Sequence, residues 1–177
     1  MARVDLLNKE QAAPETREMF QKMEDKGFRV LNVFKAMAQC PKIGYYFLRL
    51  GNSILFEGSV SPTLRELAIL RVGHINQAKY EWTHHVAIAL RVGVREEQIG
   101  ALHDWKNSGN FNEQERAVLQ YTDEVTQNIR VKDDTFAAVR RFLKEEGIVE
   151  LTTTIGYYGM VCRILEALQV ELESPNQ

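Results

Sequence analysis

Residues 61–93 read SPTLRELAILRVGHINQAKYEWTHHVAIALRVG. Ser61 is a favoured helix N-cap, Pro62 suits the first helical position, and Glu66 comes early in the helix that follows. Apolar residues then recur at spacings of three and four, the period of a helix rather than a strand. A short break is expected near Asn76-Gln77. KYEWTHHVAIALRVG forms the next helix, closed by Gly93. The stretch is therefore a pair of helices joined by a tight turn, and the pattern extends in both directions.

Toward the N-terminus, Pro14 opens a helix through ETREMFQKMEDKG that Gly27 stops. VLNVFKAMAQC is a second helix ended by Pro41, and PKIGYYFLRLGNSILF a third that ends near Gly58. Toward the C-terminus, VREEQIGALHDW is a short helix and NSGNF a turn. Asn112 caps NEQERAVLQYTDEVTQN, with Glu115 in capping-box position. DDTFAAVRRFLKEEG has Asp133 or Asp134 as its cap and Gly147 as its stop. The last helix, from about Glu150, is unusually apolar, so it is either central to the core or covered by another subunit. The tail ESPNQ is expected to fray. Period-two alternation is scarce, and no repeat, linker or low-complexity run divides the chain. The expectation is a single all-α domain over residues 1–177.

At 45% hydrophobic, the 177 residues can bury a sizeable core. The formal charge is −2, and no block of Lys and Arg makes a basic patch, so neither nucleic acid nor an anionic membrane is an expected partner. The start, MARVDLLNKE, lacks the apolar core of a signal peptide. No apolar run approaches the roughly 18–20 residues that span a bilayer. A soluble, cytoplasmic protein is expected. Cys40 and Cys162 lie far apart, form no CxxC and read as two buried thiols.

The helix over residues 79–93 carries the first chemical signal. With Glu81 at zero on a wheel of about 100° per residue, His85 falls near 40°, within the apolar sector. His84 falls outside it, with Tyr80 and Arg91. His85 is therefore the histidine expected to be buried. Glu81 and His85 form an i,i+4 pair with the acid N-terminal, the favourable orientation. A carboxyl raised by burial beside an imidazole suits proton transfer near neutral pH. The alternative is a core ion pair that only joins helices.

The preceding helix repeats the signal, because Glu66 is flanked by Ile69, Leu70 and Gly73. Gly73 would permit close approach of a helix or a ligand. An antiparallel pairing would turn Glu66 toward the next helix. The bland reading of Glu66 is an acid placed favourably near a helix N-terminus. Arg71 and Arg163 sit in apolar stretches, where each could bind a substrate carboxylate or act as a structural cation at a subunit interface. Tyr157 and Tyr158 could offer a hydroxyl to a ligand but read first as packing, His74 as semi-exposed and His103 as surface. Neither a dinucleotide or phosphate loop, nor HExxH, nor a nucleophile elbow is present. Glu81 and His85 could supply two metal ligands, but no third accompanies them.

SPTLRELAILRVGHINQAKYEWTHHVAIALRVGV resembles the core motif of the carboxymuconolactone decarboxylase family, within the alkyl hydroperoxidase D-like superfamily. The pattern is a glutamate early in one helix, a break, then a helix with a titratable residue, a histidine four later and a small-residue stop. NVFKAMAQCPKIGYYFLRLGNSIL, FNEQERAVLQYTDEVT and VELTTTIGYYGMVCRILEAL extend the resemblance over roughly residues 29–170. Members that reduce hydroperoxides are expected to carry a CxxC between a relay glutamate and a relay histidine. Here Glu66 falls on the glutamate and His85 on the histidine, but Ala78 and Glu81 occupy the cysteine positions. Dithiol peroxidase chemistry is therefore not expected.

The resemblance implies the cysteine-free, decarboxylase-type branch: a cofactor-independent lyase acting on a small carboxylated lactone or unsaturated organic acid. Glu66, Glu81 and His85 would be its catalytic residues, and Tyr80, Trp82 and Arg71 would contact substrate. It also implies a helical domain around a central antiparallel hairpin, self-associated as a trimer or hexamer, with the site near a subunit boundary. The competing readings are a peroxiredoxin-type hydroperoxide reductase and a non-catalytic oligomeric ligand-binding or scaffold protein.

Overall fold

The structure, a computed structural model, describes residues 1–174. Among them are α1 (Pro14–Asp25), α2 (Asn32–Met37), α3 (Pro41–Phe56), α4 (Pro62–Ile75), α5 (Lys79–Arg91), α6 (Glu96–Ala101), α7 (Glu113–Asn128), α8 (Asp133–Arg140) and α9 (Glu145–Leu168). The described residues contain no strand. No helix among them is long and apolar enough to cross a membrane. The chain forms two compact units. One comprises Met1–Ser53 and the segment from Ile164 onward; the other comprises Ile54–Arg163.

The first unit gathers Ala12, Phe20, Val30 and Ala38 into a small core, against which Leu7, Met19, Met23 and Phe34 pack. Gly27 follows α1 with φ +76°, the left-handed stop its position predicts. Arg3 N–H donates to the Leu168 carbonyl at 2.8 Å, fastening the N-terminus. Part of the tail expected to fray is likewise held: Glu173 Oε1 accepts from the Asn32 N–H at 2.7 Å, and the Ser174 carbonyl accepts from Arg29. The rest of that tail, residues 175–177, lies outside the described residues. Cys40, expected to be buried, is exposed. It sits in the turn between α2, which stops at Met37, and α3, and turns carry few core positions.

The second unit is organised around α4. All ten residues from Leu64 to Gly73 are buried, so this helix has no solvent side over that length. Leu67 and Leu70 join Ala89, Val94, Leu102, Trp105, Phe111 and Leu119 in the main core. The break after α4 is a Schellman turn. Gln77 takes φ +54°, its N–H donates to the His74 carbonyl at 3.1 Å, and the Ala78 N–H donates to the Gly73 carbonyl at 2.9 Å. The turn sends α5 back antiparallel to α4. A Cβ on Gly73 would lie 3.6 Å from the Trp82 nitrogen, an ordinary contact, so this close approach does not demand glycine. Asn112 and Glu115 form the expected capping box of α7, each side chain accepting from the other's backbone N–H at 3.0 and 2.8 Å.

Two boundaries differ from expectation. Gly147 does not stop a helix: α8 ends at Arg140, and α9 begins at Glu145 with Gly147 in its first turn. A glycine stops a helix by turning left-handed, and Gly147, unlike Gly27 and Gly93, has no positive φ. Ser61 occupies the N-cap position of α4, yet its hydroxyl meets Thr63 Oγ1 at 2.8 Å instead of a backbone N–H. The corner before it is held by Glu150 of α9, whose carboxylate accepts from the backbone N–H groups of Ser59 and Val60 and from the Ser59 hydroxyl. Most of α9 is central, with Leu151, Ile155, Tyr158, Val161 and Cys162 buried, while Val149 and Met160 are exposed.

Candidate active site

The antiparallel register of α4 and α5 sets Glu66 against His85. Glu66 Oε2 lies 2.7 Å from His85 Nδ1, and Glu66 is fully buried. On the other side of the ring, Glu81 Oε2 lies 3.4 Å from His85 Nε2, one helical turn back on α5. The imidazole is thus clasped between two carboxylates, all three groups out of water. His84, next along the chain, is half-buried, as the wheel predicts.

Burial pulls the imidazole toward neutrality. The Glu66 hydrogen bond and the charges of Glu66 and Glu81 outweigh that pull and hold its pKa above the ordinary 6.5. Burial pushes the Glu81 carboxyl above the ordinary 4.5; His85 opposes this, and Glu66 adds to it. A carboxylate against Nδ1 fixes the proton on that nitrogen, and Nε2 faces Glu81.

Both raised groups hold protons more tightly folded than unfolded. Their contribution to stability is fully present below the unfolded values and is lost as pH rises through the folded ones. We expect melting temperature to fall as pH is raised from 6.5, the ordinary value for His85. His85→Gln should flatten that fall. Scanning calorimetry of both proteins across the range checks it; parallel curves would remove the histidine from the explanation.

Two side chains complete the surroundings of His85 and Glu66, and only Arg65 went unread in the sequence. Tyr158 of α9 sets its ring edge-to-face with His85, centroids 4.8 Å apart, and Tyr157 packs on Tyr158 at 5.2 Å. Burial, with Glu81 adding, raises both phenols, so they stay protonated and cannot serve as bases. Arg65 is buried beside Glu66, its Nε 3.9 Å from Oε1.

The structure gives Tyr80, Trp82 and Arg71 other partners. Tyr80, read as part of a polar strip, is buried with its ring 4.6 Å from that of His84. Trp82 packs on the main core, its ring 6.0 Å from that of His74. Arg71 donates from Nε and Nη2 to the two oxygens of Asp123 at 2.6 and 3.2 Å, and from Nη1 to the Leu102 carbonyl at 2.8 Å. It is a structural cation inside the second unit and not a free clamp for a substrate. Exposed Arg163 donates to the Gly159 carbonyl of its own helix. Among the described residues, no group of three or more His, Cys, Asp or Glu side chains could hold a metal ion.

Residues 41–124 match the family model of the carboxymuconolactone decarboxylase family. Over those residues, a little under half of the chain, the sequence is similar to that family. The matched segment runs from the start of α3 into α7 and so contains Glu66, Glu81 and His85. The uncharacterized protein YdfG of Bacillus subtilis (strain 168) is 29% identical over 114 residues, covering 63% of this chain and 78% of that protein. A crystal structure from Agrobacterium tumefaciens, of a protein of unknown function named as a candidate antioxidant defence protein AhpD, is 26% identical with a TM-score of 0.73. That likeness covers 78% of this chain and 95% of the other. An alkylhydroperoxidase AhpD core structure, a peroxidase-related protein from Ralstonia eutropha JMP134, has a TM-score of 0.85 at 18% identity, covering 98% and 93% of the two chains. That last likeness establishes the shared fold alone.

Proposed function

We propose that this protein is a cofactor-independent lyase that decarboxylates a small carboxylated lactone or a related unsaturated organic acid. The observation that carries the reading is the buried imidazole with a carboxylate at each nitrogen. Such a group can give a proton to carbon and be reloaded by the neighbouring acid, which takes up one proton from water per turnover. The carbon–carbon bond to the carboxylate breaks, its electron pair enters a conjugated carbonyl as an enolate, and carbon dioxide leaves. As the pair returns, His85 Nε2–H protonates the carbon. Glu66 steadies the charged ring through Nδ1, and Glu81 returns a proton to Nε2. The raised pKa of each donor favours its protonated state more than solvent exposure would.

The peroxidase reading lacks its nucleophiles. Ala78 and Glu81 stand at the cysteine positions, Cys40 lies in an exposed turn of the first unit and Cys162 inside α9. The test is a spectrophotometric and carbon dioxide-release screen of unsaturated γ-lactones bearing a carboxylate, run beside a peroxide-reduction assay. Turnover of an acid without peroxide reduction supports the lyase. Thiol-dependent peroxide turnover would discard it.

Self-association belongs to the same reading. Ile43, Tyr46 and Leu50 of α3 are exposed apolar side chains on a helix of the first unit, more than a solvated face needs. We expect sedimentation velocity to show a homo-oligomer; a monomer at micromolar concentration would remove that part of the proposal.

A further inference from the structure

Arg65 is 6% exposed, and its Nε–H finds no hydrogen-bond partner in the protein. Oε1 of Glu66, 3.9 Å away, finds none either. The two cannot simply close on each other. Successive helical residues point about 100° apart, and the other oxygen of Glu66 is held by His85 at 2.7 Å. Swinging Glu66 toward Arg65 would release the imidazole.

An unpaired buried donor costs about 1–3 kcal/mol, and more on a charged group. Leucine or methionine at position 65 would suit so apolar a helix without that penalty. The guanidinium also bears on the site's chemistry, since its charge acts on both His85 and Tyr158. Glu66 and a protonated His85 cancel one another, and burial drives Glu81 toward its neutral form. Arg65 then leaves the cluster with surplus positive charge. A planar fork of N–H donors in a dry setting is the best match in protein chemistry for a carboxylate.

We propose that Arg65 receives the carboxylate of the substrate and holds it beside the His85 imidazole, so that the site selects acids over their neutral esters. The inference rests on the acid/base reading above and names the cation that an acid-rich site needs for an anionic ligand. Oε1 of Glu66 would accept from a hydroxyl or a water next to that carboxylate.

The probe is γ-butyrolactone bearing a γ-carboxylate, with its methyl ester as the neutral twin; being saturated, neither can stabilise the enolate. Calorimetric titration gives both affinities, and the His85 ring-proton resonances report whether each compound binds at the site. Wild type should prefer the acid by at least about tenfold, as expected for hydrogen bonds to a charged group. Arg65→Gln should abolish that preference while leaving ester affinity within about twofold, because only the charge-assisted bonds are lost. Arg65→Lys should fall between, since it keeps the charge without the fork. Equal binding of acid and ester to wild type overturns the assignment even if the variants fail to fold. So does an acid preference that survives Arg65→Gln. In both cases the acid/base reading stands. If neither compound binds and the His85 resonances never move, the acid/base reading falls as well.

Discussion

Asp123→Ala is expected to lower the unfolding free energy by about 3–5 kcal/mol, the range for removing one partner of a buried ion pair. Asp123 accepts both arms of Arg71 and also the Trp105 indole N–H at 3.2 Å, with all three side chains buried. Its loss leaves a guanidinium out of water with only the Leu102 carbonyl to answer it. Lys106, 3.8 Å from Asp123 but largely exposed, contributes little. Replacing both partners by hydrophobes, as in Arg71→Met with Asp123→Leu, should recover most of the loss. Urea denaturation reads both, provided the slope is unchanged. A loss below about 1 kcal/mol would mean that the pair behaves as a solvated surface bridge.

His85→Gln is expected to reduce turnover of the acid found in the screen by about 10²–10⁴-fold, the usual contribution of a positioned proton donor. Glutamine can still hydrogen-bond Glu66, so folding should survive while proton transfer to carbon does not. Glu66→Gln removes the carboxylate against Nδ1 and should move the alkaline limb of the rate profile to lower pH, because the imidazole loses its strongest support. Comparing kcat/KM gives the lost transition-state stabilisation directly. A glutamine variant within tenfold of wild type would take His85 out of the chemistry and leave it a core histidine.

The helices were legible because their apolar period is local. So was the triad, since Glu81 and His85 share one helix face and Glu66 lies on the neighbour across a tight turn. What escaped depends on distant chain. Arg71 is matched by Asp123, 52 residues on, and no spacing rule links them. Tyr158 arrives at His85 from a helix that periodicity described only as apolar. Arg65 is a different failure: beside Glu66 it reads as one charge among several until the burial of the whole of α4 is known. Cys40 read as a small hydrophobe because the end of α2 could not be placed to within the few residues that separate core from corner.

The left-handed Gln77 corner joins the two helices that carry Glu66, Glu81 and His85. Helix positions advance by about 100° per residue, so lengthening that corner by a single amino acid, with the packed axes kept, would rotate every α5 side chain by that angle. His85 would turn from Glu66 toward the flank that Thr83 and Leu90 now present to water. The distance between a proton carrier and its anchor is thus indexed by loop length alone. Insertions harmless at surface bends elsewhere would here dismantle the chemistry before they unfolded the protein.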